Sequence, residues 1–576
     1  MTAPTIRRRE CEVGDDGASD GWPHTVLPLL RRIHAARGAR DIRQAQPRLT
    51  DLHPPDLLGG MDAACDLLLD AIQANRHIVV VGDFDCDGAT ACAVGVRGLR
   101  MLGARNVSYA VPNRMVHGYG LSPALVEELA AMRPELLVTV DHGIACHAGI
   151  AAAKALGWKL LVTDHHLPGE HLPSADAIVN PNLVGDAFPS KMLAGVGVMF
   201  YVLLALRRSL RDAGCFSATG EPDLSALLDL VAVGTVADLV PLDANNRALV
   251  GAGLRRLRAG QGCAGLNTLI DISGCNAASL NCTDIGFRIA PRLNAAGRLE
   301  DMALGIECLI TDDTVQARHI AHTLDGINAE RRGLQQNMVD DAQALLDNIK
   351  LEGDLPAGLC LFDAQWHPGV VGLVASKMKE MMHRPTIAFA PSEPGSTSLR
   401  GSARSIPGFH IRDALAAVNA MHPGLIDRFG GHAMAAGLSL RHDALPLFET
   451  AFQRYSASVL DANLLQAEVL SDGELAAGEL NRTHAEALRD GGPWGQGYPE
   501  PLFDGEFEVL TWRVVGERHL KLELGLDTQR FNAIHFGGYD GDAPPRHIHI
   551  AYRLEPDSYR GKGAIHLVVV HRESSS

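Results

Sequence analysis

Five short apolar runs lie between residues 77 and about 240: "HIVVVG", "NVSYAV", "ELLVTV", "KLLVTD" and "AIVNP". Helical or Gly/Pro-marked stretches separate them. Runs this uniformly apolar have no polar face to offer water, so both sides of each must be covered. Strands of that kind alternating with helices predict an α/β fold built on a parallel sheet. On the helix between the first two runs, Thr90, Val94 and Leu99 occupy a side that can face the sheet.

Three of these strands end in acid. "VVVGDFDCDGAT" carries Asp83, Asp85 and Asp87, "LLVTVDHG" carries Asp141, and "LLVTDHH" carries Asp164, His165 and His166. The i, i+2, i+4 spacing of the first set places its side chains on one side of an extended segment, and Gly88 gives the turn into the helix. Strand C-termini of an open parallel sheet share one edge, where ligands bind. Asp238, in "VAVGTVADLVPL", ends an apolar helical stretch and is a fourth contributor.

The rest of the chain changes character twice. Residues 312–349 are polar, with Ile320, Leu324, Ile327, Leu334, Met338 and Leu345 at helical spacing, which predicts a long amphipathic helix or helix pair joining two domains. A second α/β pattern follows from "GLCLFDAQW" to about residue 455. Then come five alternating strands with little helix between them: "FEVLTWRVVG", "HLKLEL", "RFNAIHFG", "RHIHIAYRL" and "AIHLVVVH". These suggest a small barrel of the OB type, or a β-sandwich. With 576 residues, several domains are needed. The expected division is an N-terminal extension (1–50), a catalytic α/β domain (51–310), a connecting helix (311–350), a second α/β domain (351–460) and the barrel domain (461–576).

Eleven cysteines, an odd number without a C-x-x-C pair, fit reduced thiols in a cytoplasm. The acidic stretch after Arg9 lacks the apolar core of a signal peptide, and the longest apolar run, 195–206, is too short to span a bilayer. No membrane association is expected. A formal charge of −16 argues mildly against a nucleic-acid partner, since affinity comes from neutralising phosphates, but bound cations would offset part of it. Residues 502–576 hold 9 Lys/Arg against 11 Asp/Glu, so no basic stripe is visible in the linear sequence.

Carboxylates and imidazoles without cysteine are ligands for Mn²⁺ or Mg²⁺ rather than structural zinc. So many anionic groups cannot assemble without cations. Two ions ~3.5–4 Å apart would clamp a phosphoryl group for in-line attack. One D-x-D alone reads as a turn or helix cap, and one terminal histidine as structural. Four acid-bearing segments in matching contexts do not. Asp164 is read as an orienting residue that fixes the neighbouring loop or holds His165.

"DFDCDG", "VDHG", "TDHH" and "ADLVPL" resemble the four ordered motifs of the DHH phosphoesterase superfamily. "RIAPRLNAAGRL", "WHPGVVGLVASKM", "GSARSIPGFHI", "FGGHAMAAG" and "GPWGQGYPEPLF" are similar to the RecJ exonucleases within it, over roughly residues 50–570. The resemblance implies a metal-dependent enzyme that degrades single-stranded DNA from its 5′ end to 5′-mononucleotides in recombination and repair, using two Mn²⁺ or Mg²⁺ ions. Asp87, Asp141, His165 and Asp238 would hold one ion. Asp85 and Asp141, with Asp83, would hold the other, and His166 would face the scissile phosphate. The catalytic set is then His166, Asp141 and Asp83. Phe84 and Cys86 replace the tyrosine and alanine common in the first motif, at positions that supply no ligand.

By the same resemblance, the second α/β domain closes over the site with Ser402, Arg404, Gly430, Gly431 and His432 as phosphate binders, and Arg114 anchors a 5′-terminal phosphate. "LNAAGRL", with Asn294 and Arg298, is a site-adjacent loop or a helix-terminal turn. On the barrel, Trp512, Phe536, Tyr552 and Tyr559 are available for base stacking, with Arg518, His519 and Lys521 for phosphates. Single-stranded DNA with a 5′ end is the expected partner, with single-strand-binding protein and a helicase suggested by the family. The competing readings are another DHH phosphoesterase acting on short oligonucleotides or small phosphoesters, and a replication scaffold that kept the fold without its metals.

Overall fold

The computed structural model describes residues 4–10, 21–114, 116–216, 220–352, 355–557 and 564–574. Cys11, the acidic stretch 11–20 and Tyr559 lie outside them. After a short strand β1 (Thr5–Arg8), five strands form the first sheet: β2 (Ile78–Val81), β3 (Val107–Ala110), β4 (Leu136–Val140), β5 (Lys159–Thr163) and β6 (Ala177–Val179). They are parallel throughout, in the order β3-β2-β4-β5-β6. Every residue of β2 and β4 is buried, and all of β5 except Lys159. The uniformly apolar runs are therefore covered on both faces.

The first crossover helix, Cys86–Met101, is enclosed rather than laid on the sheet. Gly95 and Cys92 meet Val80 of β2, whereas Thr90 points at Gly234 in the helix Leu228–Ala237. Thr90 thus faces a neighbouring helix and not the sheet, because a second helical layer packs over this one. The apolar run at 195–206 is part of a buried helix, Gly195–Asp212. Among the described residues no helix is long and apolar enough to cross a membrane.

A single helix, Thr314–Glu352, covers 39 residues and joins the two α/β regions. Ile320, Ala321 and Leu324 sit in the core of the first region; Met338, Val339, Ala342 and Leu346 sit against the second. That second sheet comprises β7 (Leu359–Phe362), β8 (Thr386–Pro391), β9 (Ser398–Arg404), β10 (Arg428–Gly431) and β11 (Ala435–Arg441), ordered β10-β11-β9-β8-β7. Only β7 and β8 run parallel. β9 alternates strictly between buried and half-buried, so Arg400, Ser402 and Arg404 share its open side.

β12 (Glu468–Ser471) pairs in parallel with β1 and brings the N-terminus to the last region. There β13 (Phe503–Val515), β14 (His519–Leu526), β15 (Gln529–His535), β16 (His547–Pro556) and β17 (Ile565–Ser574) form a closed barrel, which decides between barrel and sandwich. Closure leaves no strand edge open. Tyr552 is 1% exposed and belongs to the barrel core, so it is not free to stack on bases, whereas Trp512 and Phe536 stand out from the surface.

Candidate active site

The acids converge at the C-terminal edge of the first sheet. β2 stops at Val81 and the helix starts at Cys86, so Asp83, Asp85 and Asp87 do not lie along one extended segment. Asp85 is the helix N-cap, accepting a hydrogen bond from the Gly88 amide at 3.0 Å, and Asp87 is in the first turn. The tight reversal, rather than the period-two alternation of a strand, gathers the three. Gly88 serves a different need from the one its sequence position suggests. It is inside the helix, and a Cβ there would stand 2.5 Å from the Asp83 nitrogen.

Asp141 follows β4 in the left-handed region, at φ 64°, an uncommon conformation for a non-glycine residue. Its amide bonds to the Thr163 carbonyl at the end of β5. Gly195 lies directly behind it: a Cβ there would be 2.4 Å from the Asp141 Cβ. The helix that begins at Gly195 also receives Asp87, whose carboxylate accepts from the amides of Gly195 (2.6 Å) and Val196 (3.0 Å). A helix N-terminus favours a carboxylate there.

The side chains fall into overlapping groups whose ligand atoms lie within 4.8 Å of one another: Asp83 with Asp85 and Asp141, Asp87 with His165 and Asp238, and Asp141 with His165 and His166. His165 Nε2 is 3.1 Å from Asp141 Oδ1 and 3.5 Å from Asp238 Oδ2. Yet Asp83 Oδ1, Asp141 Oδ1, His165 Nε2 and Asp238 Oδ2 are buried without a hydrogen-bond partner. Burial chiefly, and neighbouring carboxylates next, push Asp83, Asp87, Asp141 and Asp238 above the usual carboxylate range. Burial and then His166 push His165 down to about 4, which keeps its ring neutral. Buried hard oxygen donors and a neutral imidazole, unsatisfied within the chain, fit a divalent cation.

Asp164 is fully enclosed. Its Oδ1 accepts from the amides of His165 (2.7 Å) and His166 (3.0 Å) and from His166 Nδ1 (2.8 Å), and its Oδ2 accepts from the Ile144 amide (2.9 Å). It therefore orients the loop, as expected, but the ring it grips is His166 and not His165. Burial opposes the charge on His166, but Asp164 outweighs it, supported by Asp83 and Asp85, and the pKa is raised.

A basic wall stands beside this acidic cluster. Arg114 stacks on Phe84, 4.0 Å from the ring centroid, and lies within the field of Asp83 and Asp85. Phe84 is thus a platform for a functional candidate, although its position supplies no ligand. Arg298 is half-buried; desolvation first, then Arg114, Arg404 and Arg331, push it down to about 9. "LNAAGRL" is neither loop nor turn but the body of a helix, Ala290–Leu299, from which Asn294 accepts a bond from the Cys86 amide (2.8 Å) and Arg298 reaches the Gly369 carbonyl (3.2 Å).

From the second sheet, Arg404 Nη1 donates to Ser402 Oγ at 3.0 Å. Both crowd Gly372 in the first turn of helix Val371–Met382: a Cβ there would be 2.9 Å from Ser402 Oγ and 3.0 Å from Arg404 Nη2. Two donors over a helix N-terminus suit an anion. The His432 ring lies 6.2 Å from that of His166 and nearly parallel to it, while its amide is taken by Ala435. Gly431 serves the turn itself, at φ 137° with no room for a Cβ. Tyr119, which no motif signalled, packs edge-on to both Phe84 and His166.

The DHH family N-terminal domain matches residues 77–235, the DHHA1 domain residues 356–458 and the RecJ OB domain residues 471–571. The single-stranded-DNA-specific exonuclease RecJ of Dickeya dadantii is 50% identical over 559 residues, 95% of this chain and 96% of that one. The crystal structure of RecJ from Thermus thermophilus in complex with Mn²⁺ aligns with a TM-score of 0.78 at 31% identity, covering 96% of this chain and 80% of that chain. Its Mg²⁺ complex aligns at 0.75 and 30%, covering 96% and 75%. Three matched domains in order, and half of all residues shared along almost the whole length of a relative, establish that the chain belongs to the RecJ family.

Proposed function

We propose that this chain is a metal-dependent exonuclease that hydrolyses single-stranded DNA from the 5′ end to 5′-mononucleotides, acting in recombination and repair. The observation that carries the reading is that Asp141 groups both with Asp83 and Asp85 and with His165, which in turn groups with Asp87 and Asp238, with an arginine wall beside them. Asp87, Asp141, His165 and Asp238 hold one Mn²⁺ or Mg²⁺ ion, and Asp83, Asp85 and Asp141 hold the other. Bound there, two divalent ions offset the clustered charge, polarise the scissile phosphate and activate the attacking water.

The chain's own groups supply the rest. His166, kept protonated by Asp164, donates Nε2–H toward the phosphate and stabilises charge developing on it. Arg114, Ser402 and Arg404, with Arg298 behind them, receive the 5′-terminal phosphate, and Gly431 shapes the turn that brings His432 over the same space. Fixing the terminal phosphate one nucleotide from the cleavage point gives 5′-to-3′ polarity. Trp512 and Phe536 offer stacking surfaces on the barrel. The enzyme works in the cytoplasm, on strands managed by single-strand-binding protein and a helicase.

The test uses a 5′-labelled single strand, its duplex and a 3′-labelled copy, each with Mn²⁺, Mg²⁺ or chelator. Labelled mononucleotide appearing first from the 5′-labelled single strand, and only with metal, supports the reading. Turnover confined to pyrophosphate, dinucleotides or cyclic dinucleotides would replace it with another DHH phosphoesterase.

A further inference from the structure

Away from the acids, the C-terminal half of helix Ala244–Arg258 forms one wall of a cleft of about 270 Å³ against residues 46–48 and the segment 489–494. Arg48, Arg247, Arg255 and Arg258 line it. Arg247 is 5% exposed, lies 3.8 Å over the ring of Tyr498 and donates to the carbonyls of Leu242 and Gln44, leaving its buried Nε without a partner. Arg258 donates to the Leu280 carbonyl at 2.7 Å. Among the described residues none of the four makes an ion pair. The acids nearby are occupied: Asp490 by Arg489 and Glu500 by Arg553. Asp51 and Asp243 act on the guanidinium groups of Arg48 and Arg247 only through space. Four guanidinium groups in one concavity without a close ion pair, on a chain of net charge −16, suit a polyanion.

This cleft shares part of its lining with a smaller apolar trough that reaches the residue next to Asp238. Cys282, Thr283 and Trp494 line both, and the trough ends at Val236 and Leu239. Leu239 follows Asp238 directly. It is held at φ 62° and is 69% exposed. Phe287, 81% exposed within a π-helical turn, borders the same trough. Arg114 stacks beside the Asp83 and Asp85 group, whereas Asp238, next to Leu239, groups with Asp87 and His165. A strand whose terminal phosphate is at Arg114 and which passes the Asp238 group would meet Leu239 and Phe287 as an apolar surface for bases, with arginines for phosphates beyond.

We propose that the arginine-walled cleft binds the sugar-phosphate backbone of the single strand downstream of the scissile bond. The assignment rests on the exonuclease reading. A free nucleotide presents the same phosphate chemistry, and the experiment separates the two. Arg48 and Arg255 are exposed, and among the described residues neither side chain makes a close ion pair; the Arg48 link to Asp51 runs through its backbone amide, so the full-length R48E/R255E variant is expected to fold as the parent does. KM and kcat are measured on a 5′-phosphorylated strand of about thirty nucleotides and on a 5′-phosphorylated dinucleotide, which is too short to reach the cleft.

For the long strand KM rises roughly tenfold, and the dependence of log KM on log salt weakens by about 1.4, two phosphate contacts at about 0.7 each. Dinucleotide turnover is unchanged, and R48K/R255K retains most of the long-strand affinity. Unchanged KM and salt slope on the long strand, or equal losses on both substrates, overturn the proposal. So does a modulation of the parent by added deoxynucleoside monophosphate that R48E/R255E loses while keeping its long-strand KM, which makes the cleft a nucleotide site. A parent enzyme that degrades no single strand fails the exonuclease reading instead.

Discussion

His166 and His432 lie face to face, with ring centroids 6.2 Å apart and planes 24° from parallel, although one follows the first sheet and the other the second. His165, its neighbour in sequence, instead turns Nε2 toward Asp141 and Asp238. The two adjacent histidines therefore separate experimentally. His165→Ala loses Mn²⁺ affinity in calorimetry, whereas His166→Ala keeps Mn²⁺ and loses kcat by about 10²–10⁴-fold. Equal metal affinities in the two variants would contradict the division.

Asp164 is the residue through which His166 is aimed. Replacing it by Asn puts an amide group where four donors now converge. Asp164→Asn is expected to lower kcat by about 10–100-fold with little change in Mn²⁺ affinity. It also lowers the pKa on the acid-donating limb of the rate profile, because the partner that raises His166 is gone.

Asp141 combines a left-handed backbone with a carboxylate buried among others. Asn tolerates that conformation better than Asp and adds no charge. Asp141→Asn should abolish turnover yet raise the melting temperature of the metal-free protein. The parent should gain thermal stability from Mn²⁺ that the variant does not. A metal-free variant that melts below the parent would show that the carboxylates do not repel one another as described.

Arg404 meets Ser402 over a helix start, not the acids. Arg404→Ala is expected to raise KM by one to two orders of magnitude, about 1.5–3 kcal/mol for a charge-assisted hydrogen bond, with a smaller effect on kcat. The increase should appear with a 5′-phosphorylated end and shrink with a 5′-hydroxyl end.

His34 tests the join between the barrel and the first region. It is buried against Trp494 with Nδ1 2.8 Å from the Tyr498 hydroxyl, and burial, then Arg37 and Arg247, push it down to about 4. Below 6.5, its ordinary value, the unfolded chain takes up a proton that the folded chain refuses. Stability is thus full above 6.5 and declines as pH falls toward 4, by about 3 kcal/mol in all. Denaturant midpoints measured at pH 7.5 and 5 should differ less in His34→Gln than in the parent.

Much of this was legible in the chain. Apolar runs that end in acid specify both a covered parallel sheet and the edge where Asp141 and His165 meet, since strand direction alone brings distant tips together. What local pattern could not supply was contact across elements. Asp83 to Asp87 looked extended, but helix formation at Cys86 folds them into a reversal. Tyr552 resembled a stacking surface because alternation does not tell the inside of a closed barrel from its outside. Phe84 seemed inert until Arg114, thirty residues on, came to rest on it. The arginine cleft draws on residues 48, 247, 255 and 258 and has no linear signature.

The helix Thr314–Glu352 fixes more than a distance. An unbroken helix transmits rotation, so one residue inserted between Leu324 and Met338 turns everything beyond it by about 100° and moves it about 1.5 Å. His432 would swing away from His166 even though every side chain at either end was intact. The middle of this segment, where Asn328 and Arg331 are buried, is thus fixed in length as well as in those contacts: a stretch of sequence whose letter count is as constrained as the aspartates.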